Sequence, residues 1–180
     1  SACRKIREWI DKGIEPVPIS VNISREYIHT FDVVGEMLHL VNKYDIPIKL
    51  LELEITETTD SEGVSDVVQK MKDAGFTMLM DDFGSGYSSL NMLQKTQFDV
   101  LKIDRGFLSE FMESSRGRKI ISHTISMSRD IGLDIIAEGV ETPEQASFLS
   151  DCGCDSAQGF YYSKPITQEE FDKMLVEVNK

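Results

Sequence analysis

With 180 residues, 41% hydrophobic content and only five prolines, the chain holds enough apolar material for one globular domain with a sizeable core. Its 31 acids against 19 bases give a formal net charge of −12, which excludes binding of a DNA or RNA polymer through bulk electrostatics. No run approaches the roughly 20 apolar residues needed to span a bilayer. The opening SACRKIREWIDKG is a charged helical pattern without the apolar stretch of a secretory signal. A cytoplasmic location without membrane contact by this segment is therefore expected, whatever an upstream segment of the parent does.

In chain order, residues 2–12 pattern as a helix with Ile6, Trp9 and Ile10 on one side and Gly13 at its end. Pro18 to Ser24 suits a short buried strand in which Asn22 is out of place. A helix is predicted from about Glu26 to Lys43, carrying Val33, Val34, Met37, Leu38 and Val41 as its stripe. Leu50 to Ile55 reads as a strand punctuated by Glu52 and Glu54. Val64, Val67, Val68 and Met71 follow helical spacing up to Gly75.

Thr77 to Met80 can fill a buried strand, and Asp81 and Asp82 stand where it should end, before the tight turn Gly84-Ser85-Gly86. A cap at Ser85 or Ser88 would lead into a short helix around 88–93. Asp99 to Asp104 is a brief strand, and 114–118 reads as a Ser-, Arg- and Gly-rich loop. The helix near 119–130 is expected to bury Ile120, Ile121, Thr124, Ile125 and Ile131. Leu133 to Ala137 returns as a strand with Glu138 at its end. Thr142-Pro143-Glu144-Gln145 is a strong helix start. Ala157 to Phe160 is a minimal strand and turn, with a weak strand at 160–164. Thr167 and Glu170 offer a second capping box before a helix with Phe171, Met174, Leu175 and Val178 as its buried stripe.

Apolar strands alternating with amphipathic helices indicate a parallel sheet covered by helices. Asn22, Glu54, Asp81 with Asp82, Lys102, Glu138 and Gln158 each fall inside or at the C-terminal end of their strand. In a (β/α)₈ barrel those ends converge on one face and form the active site. A doubly wound sheet would not call on six consecutive strands in this way. The count of strands falls short of eight, and the chain opens on a helix with no strand before it. The expectation is a TIM-like (β/α)₈ barrel, incomplete, with the first β-strand missing.

Asn22, Glu54, Asp81, Asp82 and Glu138 form an all-oxygen set suited to Mg²⁺ or Mn²⁺ and unsuited to a zinc site. Such a set would allow two ions about 3.5–4 Å apart, an arrangement that holds a hydroxide in line with a phosphodiester and stabilises the leaving oxygen. Lys102 beside these acids would stay charged, orient water or neutralise developing phosphoryl charge, and Gln158 can donate without adding charge. The bland readings are a snorkelling Lys102, an Asx turn at Asn22, a solvated Glu138 and a polar helix lead-in at Glu141. Glu52 and Glu54 share a strand face, so spacing does not choose between them. Cys3, Cys152 and Cys154 lack zinc-knuckle or CxxC spacing and read as free thiols. His29, His39 and His123 read as solvated or structural side chains.

The motifs SVNIS (20–24), LELEITET (51–58), DDFGSGYSSL (81–90), LKIDR (101–105), AEGVET (137–142), GCDSAQGF (153–160) and KP (164–165), in this order, resemble an EAL domain, the bacterial cyclic di-GMP phosphodiesterase family. The resemblance covers residues 1–180 and implies hydrolysis of cyclic di-GMP to linear pGpG with a Mg²⁺ or Mn²⁺ pair on a barrel that often dimerises. It implies Asn22, Glu54 and Asp81 as ligands of the metal pair, with Asp82 and Glu138 chiefly on the second ion. It implies Lys102 at the catalytic water, Asp104, Glu141 and Gln158 as supporting positions, and Glu141 as anchor of the DFGSG loop. It also selects Glu54 over Glu52.

Two departures stand out: a segment after Glu57 two or three residues shorter than the pattern, and the absence of the Glu-Ala-Leu strand with its glutamate ligand. The 180-residue fragment is accordingly expected to hydrolyse little, while its parent is a phosphodiesterase with an upstream sensory or diguanylate cyclase-like domain. The alternatives are a non-catalytic cyclic di-GMP receptor or regulatory protein-interaction domain, and a phosphodiesterase for other dinucleotides.

Overall fold

Six parallel strands lie side by side in sequence order in the computed structural model: β1 (Ile19–Asn22), β2 (Leu51–Thr56), β3 (Thr77–Phe83), β4 (Val100–Ile103), β5 (Asp134–Ala137) and β6 (Ser156–Ala157). The structure describes residues 1–30, 32–56, 63–86 and 89–178, so the shortened segment after Glu57 and a cap at Ser88 lie outside the described residues. Helix α1 (Ala2–Asp11) precedes β1. The connections carry α2 (Arg25–Thr30), α3 (Val33–Tyr44), α4 (Val64–Ala74), α5 (Ser89–Lys95), α6 (Arg105–Met112), α7 (Ser115–Asp130) and α8 (Pro143–Asp151), and α9 (Gln168–Val178) closes the chain.

Side chains alternate across a strand, and here the two faces differ in kind. Leu51, Leu53, Ile55, Met78, Met80, Leu101, Ile103, Ile135 and Ala137 are buried beneath the helices. The opposite face carries Asn22, Glu54 and Lys102 from their strands and continues into Glu138, with register pairing Asn22 to Glu54 and Thr56 to Asp81. Each buried Ile, Leu or Met on the apolar face contributes about 1.5–3 kcal/mol, which compensates for the acids held on the other. The apolar interior falls into two clusters. The larger packs α1, α3 and α4 against β1–β3, and the smaller packs α6, α7 and α8 against β4 and β5.

Several expectations are corrected. The helix predicted over 26–43 is two helices, because the Asp32 side chain accepts from Gly35 N and starts α3 afresh. Residues 114–118 are no loop: Ser114 accepts from Gly117 N and caps α7, which begins at Ser115. Helix α6 lacked a sequence expectation, and Asp104 is its N-cap. Strand β3 runs on to Phe83, so Asp81 and Asp82 lie within it. Residues 160–162 form a turn, and 163–164 are irregular, where a weak strand was expected. Ile120, Ile131, Met174 and Val178 are exposed rather than buried. The capping box at Thr142 and Gln145 forms as expected, as do the contacts between Thr167 and Glu170. The three cysteines are free thiols, and His39 and His123 are exposed.

Candidate active site

The rim is built by backbone hydrogen bonds in which the ends of β1, β4, β5 and β6 donate to a neighbouring strand. Ile23 N donates to Glu54 O, Asp104 N to Phe83 O, Glu138 N to Ile103 O and Gln158 N to Ala137 O, at 2.8–3.2 Å. Four consecutive strands thereby deliver Glu54, Asp81, Lys102 and Glu138 to one place. Lys102 Nζ lies 3.0 Å from Glu54 Oε1, 2.9 Å from Asp81 Oδ1 and 2.8 Å from Glu138 Oε1. Gln158 Nε2 donates to the same Glu138 oxygen at 2.7 Å.

Electrostatics hold this cluster in a defined state. Burial works against the Lys102 ammonium, but its contacts with Glu138, Asp81 and Glu54 outweigh it and raise its pKa well above the ordinary lysine range. Burial pushes the Glu138 carboxyl up, against the pull of Lys102. Burial also raises Asp82, helped by the charges of Asp81 and Asp104. Three carboxylates around one ammonium leave the pocket negative.

Asp82 adopts φ 58°, a left-handed conformation uncommon for a side-chain-bearing residue, where the β3–β4 register shifts between Met80 and Phe83. This bulge places consecutive carboxylates differently. Asp81 is buried in the cluster, whereas Asp82 is half-buried near Asp104.

The other predicted residues are placed less centrally. Asn22 is exposed at the end of β1, in register with Glu54. Asp104 spends its carboxylate on Gly106 N and Phe107 N as the cap of α6. Glu141 pairs with Arg105 Nη2 at 2.7 Å. Glu52 sits one step nearer the start of β2 than Glu54 and is less buried, its carboxyl pushed up by burial and by the Glu54 charge. Arg105 and Phe107, which the sequence reading passed over, pack on the glycines beside the acids. The available signal was Asp104 followed by Phe107, Leu108, Phe111 and Met112 at helical spacing.

The donor set fits hard divalent cations. It is all oxygen, and Asp81 Oδ1 is an enclosed atom with no hydrogen bond among the described residues. The Lys102 ammonium stands 2.9 Å from that oxygen. As they stand, the acids turn toward the ammonium, and among the described residues no three His, Cys, Asp or Glu side chains are arranged to hold an ion.

The sequence model of the EAL domain matches residues 1–165. The chain belongs to the EAL domain family. Its sequence is 36% identical over 172 residues to the Pseudomonas aeruginosa bifunctional diguanylate cyclase/cyclic di-GMP phosphodiesterase MucR, covering 94% of this chain and 25% of that protein. The chain spans about a quarter of the length of the curated relatives it matches. The crystal structure of the EAL domain of Mycobacterium smegmatis DcpA superimposes with a TM-score of 0.91 at 32% identity, covering 99% of this chain and 82% of that one. Klebsiella pneumoniae BlrP1, solved as a manganese/cyclic di-GMP complex, gives 0.78 at 27% identity over 89% of this chain and 42% of its own. The six-stranded sheet of this EAL domain is thus an incomplete TIM-like barrel. Among its described residues no helix is long and apolar enough to cross a membrane.

Proposed function

We propose that this EAL domain hydrolyses one phosphodiester bond of cyclic di-GMP to give linear pGpG, with Mg²⁺ or Mn²⁺ as cofactor. The reading is carried by the convergence of Glu54, Asp81 and Glu138 on Lys102 at the rim, with an enclosed Asp81 oxygen facing the ammonium at 2.9 Å. The cyclic di-GMP named for MucR and BlrP1 supports the substrate class.

Asn22, Glu54, Asp81, Asp82 and Glu138 would hold the ions, and Gln158 fixes the Glu138 carboxylate. When bound, a divalent pair supplies charge stabilisation at the phosphoryl oxygens and a nucleophile from water at neutral pH. Lys102, held cationic, orients the attacking water and offsets charge on the phosphoryl oxygens. Water adds to phosphorus, the P–O3′ bond breaks, and the departing 3′ oxygen takes up a proton. Asp104 and Glu141 act from behind, through the α6 cap and the Arg105 ion pair.

Among the described residues the sheet ends in β1 and β6, each with a neighbour on one side, so we expect the 180-residue chain alone to turn over little substrate. Homodimerisation and an upstream cyclase-like or sensory domain complete the proposal. The test is chromatographic detection of pGpG from cyclic di-GMP with and without Mn²⁺, using the longer polypeptide that contains this domain. Glu54→Gln and Asp81→Asn should abolish product. Turnover unaffected by either substitution would overturn the reading.

A second reading, a metal-independent cyclic di-GMP receptor, is favoured by the ammonium already seated among the carboxylates. Calorimetry would show tight binding without Mn²⁺ and no product.

A further inference from the structure

The strands that bring Asp81, Asp82 and Glu138 to the site each run on into a glycine turn, and one helical turn braces both. Beyond β3, Gly84 has φ +96°, and a Cβ there would overlap the ring of Phe107. That ring stands edge-on to Phe83 at 6.1 Å and stacks on Phe111 at 4.4 Å. Beyond β5, Gly139 has φ +67°, and a Cβ there would overlap the aliphatic stem of Arg105. The guanidinium at the end of that stem pairs with Glu141 at 2.7 Å. Each braced glycine lies within three residues of a proposed metal-binding carboxylate: Asp81 and Asp82 precede Gly84, and Glu138 precedes Gly139.

We infer that Arg105 and Phe107, in the first turn of α6, are positioning residues that hold the Asp81–Gly84 and Glu138–Glu141 corners at the separation needed for shared metal binding. The inference rests on the proposed metal-dependent reading. Phe107 is packed on one corner and Arg105 on the other. Asp104, between Lys102 and this turn, fixes the start of the helix by accepting from Gly106 N and Phe107 N. A shift of the turn therefore moves both corners together.

The sign of one substitution separates positioning from bulk charge. Arg105→Ala removes a cation close to an acidic site, so electrostatics alone predicts tighter Mn²⁺ binding. Loss of positioning predicts weaker binding, about 10-fold by analogy with other groups that orient metal ligands. Mn²⁺ uptake, by the same polypeptide that is assayed for turnover, is read from the loss of the free-ion electron paramagnetic resonance signal, with melting temperature measured in parallel. Arg105→Lys, which retains a stem and a charge, should bind Mn²⁺ more tightly than Arg105→Ala. Arg4→Ala, an equal change in net charge at an exposed side chain of α1, should leave affinity unchanged.

Arg105→Met keeps the stem while breaking the ion pair, so it tests the clamp if the alanine variant melts early. It should also bind more weakly than wild type. Wild-type uptake of Mn²⁺ with equal or tighter binding by both Arg105→Ala and Arg105→Met overturns the inference alone. A wild-type chain that takes up no Mn²⁺ overturns the metal-dependent reading, and the inference with it.

Discussion

Lys102→Met tests how the acid cluster is kept in place without a metal. The substitution retains most of the side-chain volume and removes the ammonium from three carboxylates at 2.8–3.0 Å. Taking one partner from a buried ion cluster costs about 3–5 kcal/mol. The Glu138 side chain is 20% exposed and can turn to water, so the lower end, about 3 kcal/mol, applies. For a domain of this size, each kcal/mol shifts the melting temperature by roughly 2–4 °C, giving a fall of about 6–12 °C.

Divalent ions should act against this loss. Without the ammonium the carboxylates attract Mn²⁺ more strongly, and each tenfold gain in affinity narrows the gap to wild type by about 1.4 kcal/mol at saturating metal. Melts followed by circular dichroism at neutral pH, with and without Mn²⁺, measure both effects. An unchanged melting temperature without metal, or a gap that Mn²⁺ leaves untouched, refutes the view that Lys102 is the counter-charge of the site.

The remaining predictions concern single contacts. Glu54→Gln should weaken Mn²⁺ binding by about 10-fold or more, whereas Glu52→Gln, one step nearer the start of β2, should change it far less; equal losses in titrations would refute the choice of Glu54. Thr142→Ala removes the acceptor for Gln145 N and should cost about 1 kcal/mol, a fall of roughly 2–4 °C in a thermal melt. Asp172 accepts from Lys5 Nζ and from Trp9 Nε1, and the Lys5 contact leads the causes that hold its carboxyl below the usual range. Its contribution is therefore present above its ordinary pKa and lost only as pH falls through the depressed value. Trp9, the single tryptophan, should shift its emission there, and the same acid step in Asp172→Asn would refute the assignment.

Much of the fold is written in residue periodicity. The strands of a parallel sheet covered on one face by helices read as apolar runs, so Asn22, Glu54, Lys102 and Glu138 stand out as interruptions, and the structure puts the last three within one cluster with Asp81. Less legible was anything decided by a single local contact. Asp32 looks like one polar residue in a long amphipathic run until its side chain is seen accepting from Gly35 N. The Ser114–Arg118 stretch has loop composition, yet one serine cap is enough to start α7 there. The pairing of Arg105 with Gly139 and Glu141 joins residues more than thirty positions apart and leaves no periodic trace. The left-handed Asp82 was equally hidden, because a bulge depends on the neighbouring strand.

The unequal division of the apolar interior bears on how the molecule should breathe. Strand β4 belongs to both bodies, with Leu101 in the larger and Ile103 in the smaller. Glu54 and Asp81 stand on the larger body, and Glu138 on the smaller. Cooperative units with less buried apolar surface open at lower free energy. Amide exchange should therefore be faster in α8 and β5 than in β2 and β3, and each such excursion would carry Glu138 away from Lys102 while Glu54 and Asp81 stay put. The rim would then lose one carboxylate at a time, with the rest of the sheet still folded.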